Sequence, residues 1–166
     1  MEATTTSATL EKLARAELFA GLSDDACRVL AGLARRRDAD PGETLFRLGD
    51  PADEFYVIRR GRVELTFPLV VMGETKETRF QSLEAGRTLA WSALVPPYRL
   101  TMSARASTAV ELLAFERARV LELFDELPRA GYVVMTNLSR VVATRLHELV
   151  ALWVREVQRN VSQTFR

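Results

Sequence analysis

The 166 residues of this chain include one cysteine and one histidine. Cys27 alone cannot form an intramolecular disulfide framework, and the chain reads as cytoplasmic. His147 alone cannot build the clustered His and carboxylate ligands that metal-dependent β-barrel enzymes need, so no metal is expected. It reads as a surface or interface histidine. No apolar run reaches the roughly 18 residues that cross a membrane. The opening MEATTTSATLEKL lacks the apolar core of a signal peptide. Neither sign of charge dominates: 23 basic and 22 acidic residues leave a net +1, with no global pull toward nucleic acid. Ser, His and Asp occur without a nucleophile-elbow pattern, so the chain is not read as an enzyme.

The residues present suffice for one folded domain. At 48% hydrophobic, a chain of this length buries about two-thirds of its unfolded surface. Over residues 10–36, Leu10, Leu13, Leu18, Val29, Leu30 and Leu33 sit at helical spacings interrupted by Gly21, which predicts two short helices. Ser23, followed by Asp24 and Asp25, is the expected cap of the second. From residue 37 to about 115 the pattern turns to short β runs separated by Pro41-Gly42, Gly49-Asp50, Gly61, Gly73-Glu74 and Gly86. That spacing suits an antiparallel sandwich or barrel. From residue 117 the pattern is helical again, with Pro128 suited to a first helical turn. The expected division is a tail and N-terminal helix at 1–16, a β-roll with flanking helices at 17–127, and a long helix with its tail at 128–166.

The most informative stretch is LFRLGDPADEFYVIRRG at 45–61. Gly49 offers the positive φ of a tight turn, Asp50-Pro51 sets the bend, and Phe55-Tyr56-Val57-Ile58 is a β-favouring run closed by Gly61. The spacing of Gly49, Asp50, Ala52, Phe55 to Ile58 and Gly61 resembles the β-roll signature of the cyclic-nucleotide-binding domain in CRP/FNR-type regulators, with Phe46 off-pattern. The phrase LFAGLS before a helix resembles the start of those sensor domains too. The resemblance implies an α+β fold: N-terminal helices, an antiparallel, jelly-roll-like barrel, a hinge helix at 117–127, and a long C-terminal dimerisation helix.

In that family the segment corresponding to 84–106 carries the phosphate-binding cassette. Its Glu accepts from the ribose, its Arg neutralises the cyclic phosphate, and backbone N–H groups of a short helix cradle the oxygens. This chain reads GRTLAWSALVPPYRLTMSARA. Gly86 and Leu89 match, but Ala90 stands for the family's Gly and Trp91 for its Glu. Between Glu84 and Glu111 there is no acid to hold a ribose. Arg99 is the one phosphate candidate, eight residues after Trp91. Facing inward it needs an anionic partner; facing outward it is a solvated loop arginine. Arg105 is expected to pair with a surface acid. The phrase with Trp91-Ser92 and Pro96-Pro97-Tyr98-Arg99 resembles a divergent CRP/FNR branch with an altered pocket. Trp91 and Tyr98 then offer flat apolar surface, or Trp91 simply fills the ribose space. In cyclic-AMP-binding members, polar residues on the long helix meet the base; here Leu149 and Val150 take those positions. With ribose and base contacts both missing, tight binding of ordinary cyclic AMP is not expected.

The long helix repeats Leu138, Val142, Leu146, Leu149, Trp153 and Val157 at spacings of three and four. A small β-roll covers only part of such a stripe, so a second copy in a parallel homodimer is the expected partner, as the family resemblance implies. A helix folded wholly onto its own roll is the alternative. An iron–sulfur cluster of the kind some relatives carry needs four ligands, which one cysteine cannot supply, and no motif supports haem. The family's helix-turn-helix part follows the long helix; the residues up to Arg166 contain no recognition helix, so no direct nucleic-acid binding is expected from them. The basic runs at 35–37 and 59–62 read as solvated strand edges.

Two functions follow as expectations. One is a non-enzymatic module sensing a small ligand, a cyclic nucleotide or another small anion, and signalling through the hinge helix to the long helix. The other is a protein-interaction module whose pocket is closed by its own side chains. An anion beside Arg99 would favour the first; a pocket filled by Trp91 or Tyr98, with Arg99 in solvent, would favour the second. A transcription regulator with its DNA-binding part elsewhere is a third.

Overall fold

The computed structural model describes residues 10–164, residue 12 excepted; residues 1–9 of the expected tail and N-terminal helix at 1–16 lie outside them. Leu10, Glu11, Leu13 and Ala14 are helical, and a run of turns leads to Ser23. The Ser23 hydroxyl accepts from the N–H of Ala26 at 3.3 Å, and α1 (Asp24–Leu33) follows. The cap expected from Ser-Asp-Asp is thus formed.

Eight strands follow: β1 (Arg35–Ala39), β2 (Thr44–Phe46), β3 (Glu54–Arg60), β4 (Val63–Val71), β5 (Glu74–Leu83), β6 (Thr88–Leu89), β7 (Ser103–Ala106) and β8 (Val110–Glu116). They form two four-stranded sheets, ordered β1-β8-β3-β6 and β2-β7-β4-β5, with antiparallel pairing throughout. Among the described residues no ladder joins one sheet to the other. The architecture is therefore an open roll, and the expectation of a barrel is corrected to that extent.

All four residues of the Phe55–Ile58 run are buried. The reason is that β3 is covered on both faces. Phe55 stacks on Phe115 at 5.0 Å, and Phe19 from the N-terminal segment meets Phe115 edge-on at 5.3 Å. On the opposite face Tyr56 stacks on Phe46 of the other sheet at 6.1 Å. Gly61, at φ +91°, makes the turn into β4, and a Cβ there would lie 2.3 Å from the Ala109 carbonyl. Only glycine fits both the conformation and the space.

The β4–β5 hairpin is longer than the alternation at 62–67 and 78–83 suggests. Val71 pairs with Glu74 across a two-residue turn of Met72 and Gly73, both at positive φ. Such a turn follows the right-handed twist of the strands and lets pairing run to the tip.

Among the described residues two helices follow the sheets: α2 (Arg117–Glu126), at the expected hinge position, and α3 (Pro128–Thr164) of 37 residues. At 1.5 Å per residue α3 is about 55 Å long. Asn137 anchors it to the N-terminal segment, its side-chain amide donating to the carbonyls of Leu18 at 3.0 Å and Ala20 at 2.8 Å.

Candidate functional site

Gly86, at φ +86°, opens the cassette segment. Its N–H donates to the Ile58 carbonyl at 2.8 Å, and its carbonyl accepts from the N–H of Glu17 at 3.0 Å. After β6 the chain passes Ala90 in the left-handed region, at φ +55°, and enters a single 3-10 turn, Trp91–Leu94. The position where the family signature has Gly keeps a glycine-like conformation although it is Ala here.

Beside this turn lies a cavity of about 30 Å³, lined by Phe46, Leu65, Thr88, Leu89, Ala90, Trp91, Ser92, Leu100, Thr101, Met102 and Arg145. That is room for a few waters and a small fraction of the space that sites for larger ligands need. No Asp or Glu lines it. Wider surface clefts of about 580 and 720 Å³ lie elsewhere, around Arg36 and Glu111 and between Leu22 and Pro128.

Of the ligand-binding candidates, Leu89, Ala90, Trp91 and Ser92 line the cavity; Arg99, Tyr98, Leu149 and Val150 do not. Arg99 is exposed and donates through Nη1 to the Gly49 carbonyl at 3.1 Å. Its neighbour Leu100 is locked inward, its N–H donating to the Asp50 carbonyl at 2.9 Å and its carbonyl accepting from the Gly49 N–H at 2.8 Å. Alternation across an extended segment then turns Arg99 outward. Tyr98 lies under the Arg117 guanidinium, 4.5 Å from ring centroid to Cζ, at the start of α2. Arg117 also reaches Asp53 at 3.1 Å and the Ala52 carbonyl at 3.0 Å, tying this loop to α2. Leu149 and Val150 are exposed farther along α3. Arg105, expected to meet an acid, donates to the Gly42 carbonyl at 2.9 Å instead.

Thr88, Thr101 and Arg145 are the polar cavity residues outside the ligand-binding candidates, although Arg145-Leu146 matches the family's helix pattern. Thr88 is 1% exposed and Arg145 5%. Each carries a buried polar atom without a hydrogen-bond partner, Thr88 Oγ1 and Arg145 Nε. Arg145 also donates through Nη1 to Gln81 and through Nη2 to Glu17 Oε1 at 3.4 Å. The same Glu17 oxygen accepts the Thr88 N–H at 2.7 Å, and its other oxygen lies 3.0 Å from Arg87 Nε. Burial lowers the Arg145 pKa from the ordinary guanidinium value, with Glu17 acting in the opposite sense. Three residues distant in sequence thus meet at one carboxylate: Glu17, Thr88 and Arg145.

On α3, Leu138 belongs to the protomer's own core at 2% exposure, with Val134 and Val141. It does not face outward with the rest of the expected stripe, because residues four before and three after it form the helix's inner edge. The outward stripe is Tyr132, Met135, Val142, Leu146, Leu149 and Trp153, with Val157 at its margin. Tyr132 is 73% exposed, Leu146 59% and Trp153 66%, while Val142 is partly buried. Spacings of three, seven, four, three and four place these at the a and d positions of heptads, with Ser139 filling the gap. Tyr132 and Met135 extend the stripe one turn before the residues legible as a repeat. Among the described residues no helix is long and apolar enough to cross a membrane, and no group of three His, Cys, Asp or Glu could hold a metal ion.

The family description "cyclic nucleotide-binding domain" matches residues 36–127, more than half of the chain. Over 139 residues the chain is 33% identical to Glutaminase 1 of Bradyrhizobium diazoefficiens, covering 81% of this chain and 21% of that protein. The chain thus spans about a fifth of the length of the curated relative it matches. The Catabolite Activator Protein of Thermus thermophilus superposes with a TM-score of 0.71 at 26% identity, over 86% of this chain and 63% of that one. A cyclic nucleotide-binding domain from Methylobacillus flagellatus gives a TM-score of 0.78 at 20% identity, over 92% and 84% of the two chains, a likeness of fold alone. The signature, the roll and these matches agree: the chain belongs to the cyclic nucleotide-binding domain family, in its CRP/FNR-type form.

Proposed function

We propose that this domain is a non-catalytic regulatory module that does not take ordinary cyclic AMP and passes its state through paired long helices. The observation that carries the reading is the cavity of about 30 Å³, walled by Trp91 where the family signature has a ribose-binding carboxylate. A cyclic nucleotide needs an acid for its ribose and a cation for its phosphate. The lining offers no acid, Arg99 points to solvent, and the lining cation, Arg145, is already engaged by Gln81 and Glu17. Losing one charge-assisted contact costs about 1.5–3 kcal/mol, so losing several removes useful affinity.

The output side rests on α3, whose outward apolar stripe suits a parallel two-fold pair. Arg117 links the cassette loop to α2, which leads directly into α3. That is a short physical route from the cassette loop to the helix pair. In the glutaminase relative, the similar segment is a fifth of a protein named for an enzymatic activity. A partner with catalytic function is therefore as fitting a target as a DNA-binding one. The small cavity and the outward Arg99 also favour a second reading, a ligand-free interaction module.

Thermal denaturation with cyclic AMP, cyclic GMP and cyclic dinucleotides tests the proposal. A ligand at 100 times its dissociation constant stabilises by about 2.7 kcal/mol, a rise of about 5–10 °C at this size. No rise with any cyclic nucleotide is expected; a rise of that size with cyclic AMP would overturn the proposal.

A further inference from the structure

Buried donors without acceptors call for an explanation, and this molecule has two at one cavity. Thr88 Oγ1 and Arg145 Nε are both buried and unpaired, and both residues line the space beside Trp91. They converge because one oxygen of Glu17 accepts from the Thr88 N–H at 2.7 Å and from Arg145 Nη2 at 3.4 Å. The Nε–H can only donate, and the hydroxyl can rotate to donate. The rest of the lining is largely apolar, from Phe46, Leu65, Leu89, Leu100 and Met102, and contains no carboxylate. A lining with a guanidinium and hydroxyls but no carboxylate disfavours cations and suits a group that accepts hydrogen bonds.

Size narrows the class. About 30 Å³ corresponds to a few waters, enough for a planar group of three or four heavy atoms and too little for a phosphorylated nucleoside. We propose that this cavity binds a compact planar oxyanion, a nitrate-sized ion or the carboxylate head of a small organic acid, between the Thr88 hydroxyl and the Arg145 guanidinium. The inference rests on the reading of this segment as the sensing site and gives it a ligand class. Arg145 lies on α3 and Glu17 on the N-terminal segment, so an anion drawing on Arg145 competes with Glu17 for the long helix. Binding would thereby act on the element proposed to carry the output.

The test is an NMR titration of the full chain with sodium nitrate, sodium formate and sodium acetate, each at constant ionic strength set with sodium chloride. The indole N–H of Trp91, assigned with Trp153→Phe, is the reporter. Saturable shifts in the millimolar range are expected. Thr88→Val, which removes only an unpaired hydroxyl, should weaken them at least tenfold, and Arg99→Ala should leave them unchanged. A response to nitrate alone assigns an inorganic ion, and one to formate and acetate assigns a carboxylate head; both support the site. Linear shifts, or equal affinity in Thr88→Val, would overturn it and leave a cavity that holds water only. Sedimentation of the same samples keeps the two readings apart. A dimer without an oxyanion response defeats this inference alone, and an oxyanion response in a monomer defeats the helix-pair reading alone.

Discussion

Glu17 and Arg145 stand 128 residues apart in the chain and 3.4 Å apart in space. Glu17 also takes the Thr88 N–H at 2.7 Å and lies 3.0 Å from Arg87. One carboxylate therefore fastens the N-terminal segment, the start of the cassette and the long helix to one another.

Glu17→Ala leaves Arg87 and Arg145 facing each other without their shared counter-charge, and Arg145 has almost no access to water. Breaking a fully buried pair costs about 3–5 kcal/mol. Glu17 retains some solvent contact, so a loss of about 2 kcal/mol is expected, or about 4–8 °C in Tm. Thermal denaturation of the variant beside Glu17→Gln checks this, with the amide recovering part of the loss through its hydrogen bonds.

Gly61→Ala meets two obstacles at once. The backbone sits at φ +91°, and the new methyl would lie 2.3 Å from a backbone oxygen and 2.7 Å from Val110 Cγ1. Left-handed strain and a backbone overlap together make about 3 kcal/mol the expected cost. Gly49→Ala shares the positive φ but has open space around it, so about 1 kcal/mol is expected there. Urea denaturation of the pair separates the two effects.

Much of this architecture is local and therefore legible in the sequence. The Ser23 cap, the turn at Gly49 and Asp50, the break at Gly61, the buried run at 55–58 and Pro128 opening the last helix all depend on neighbours in sequence. The candidate site is different. Thr88 and Arg145 become partners only through Glu17, and no spacing pattern reports a contact made across 128 residues. Arg99 stands out by its position after the cassette start, but inward Leu100 fixes the alternation and turns it to solvent. Leu138 matches a helical repeat, yet a three-four pattern by itself does not say which edge of the stripe faces the roll.

Stability should fall in alkaline solution. Burial, with Asp24 adding, raises the Cys27 thiol above its ordinary 9.0, and burial raises the Tyr56 hydroxyl above its ordinary 10.0. In the unfolded chain both ionise at their ordinary values, so above those values the folded state holds more protons and its stability declines as pH rises. Their contribution is fully present below about pH 9. Urea midpoints measured from about pH 8 to 10.5 should fall, and Cys27→Ala should lessen the first part of the fall, around pH 9–10. A midpoint that rises over this range would contradict the assignment.

The most direct measurement is sedimentation velocity of the chain beside Leu146→Glu. Leu146 is exposed in the protomer and central to the outward stripe of α3, so a carboxylate there leaves the fold intact and places two like charges across a helix pair. The wild-type chain is expected to sediment as a dimer at micromolar concentration and the variant as a folded monomer with unchanged circular dichroism. A wild-type chain that stays monomeric, or a variant that stays dimeric, would contradict signalling through a paired long helix.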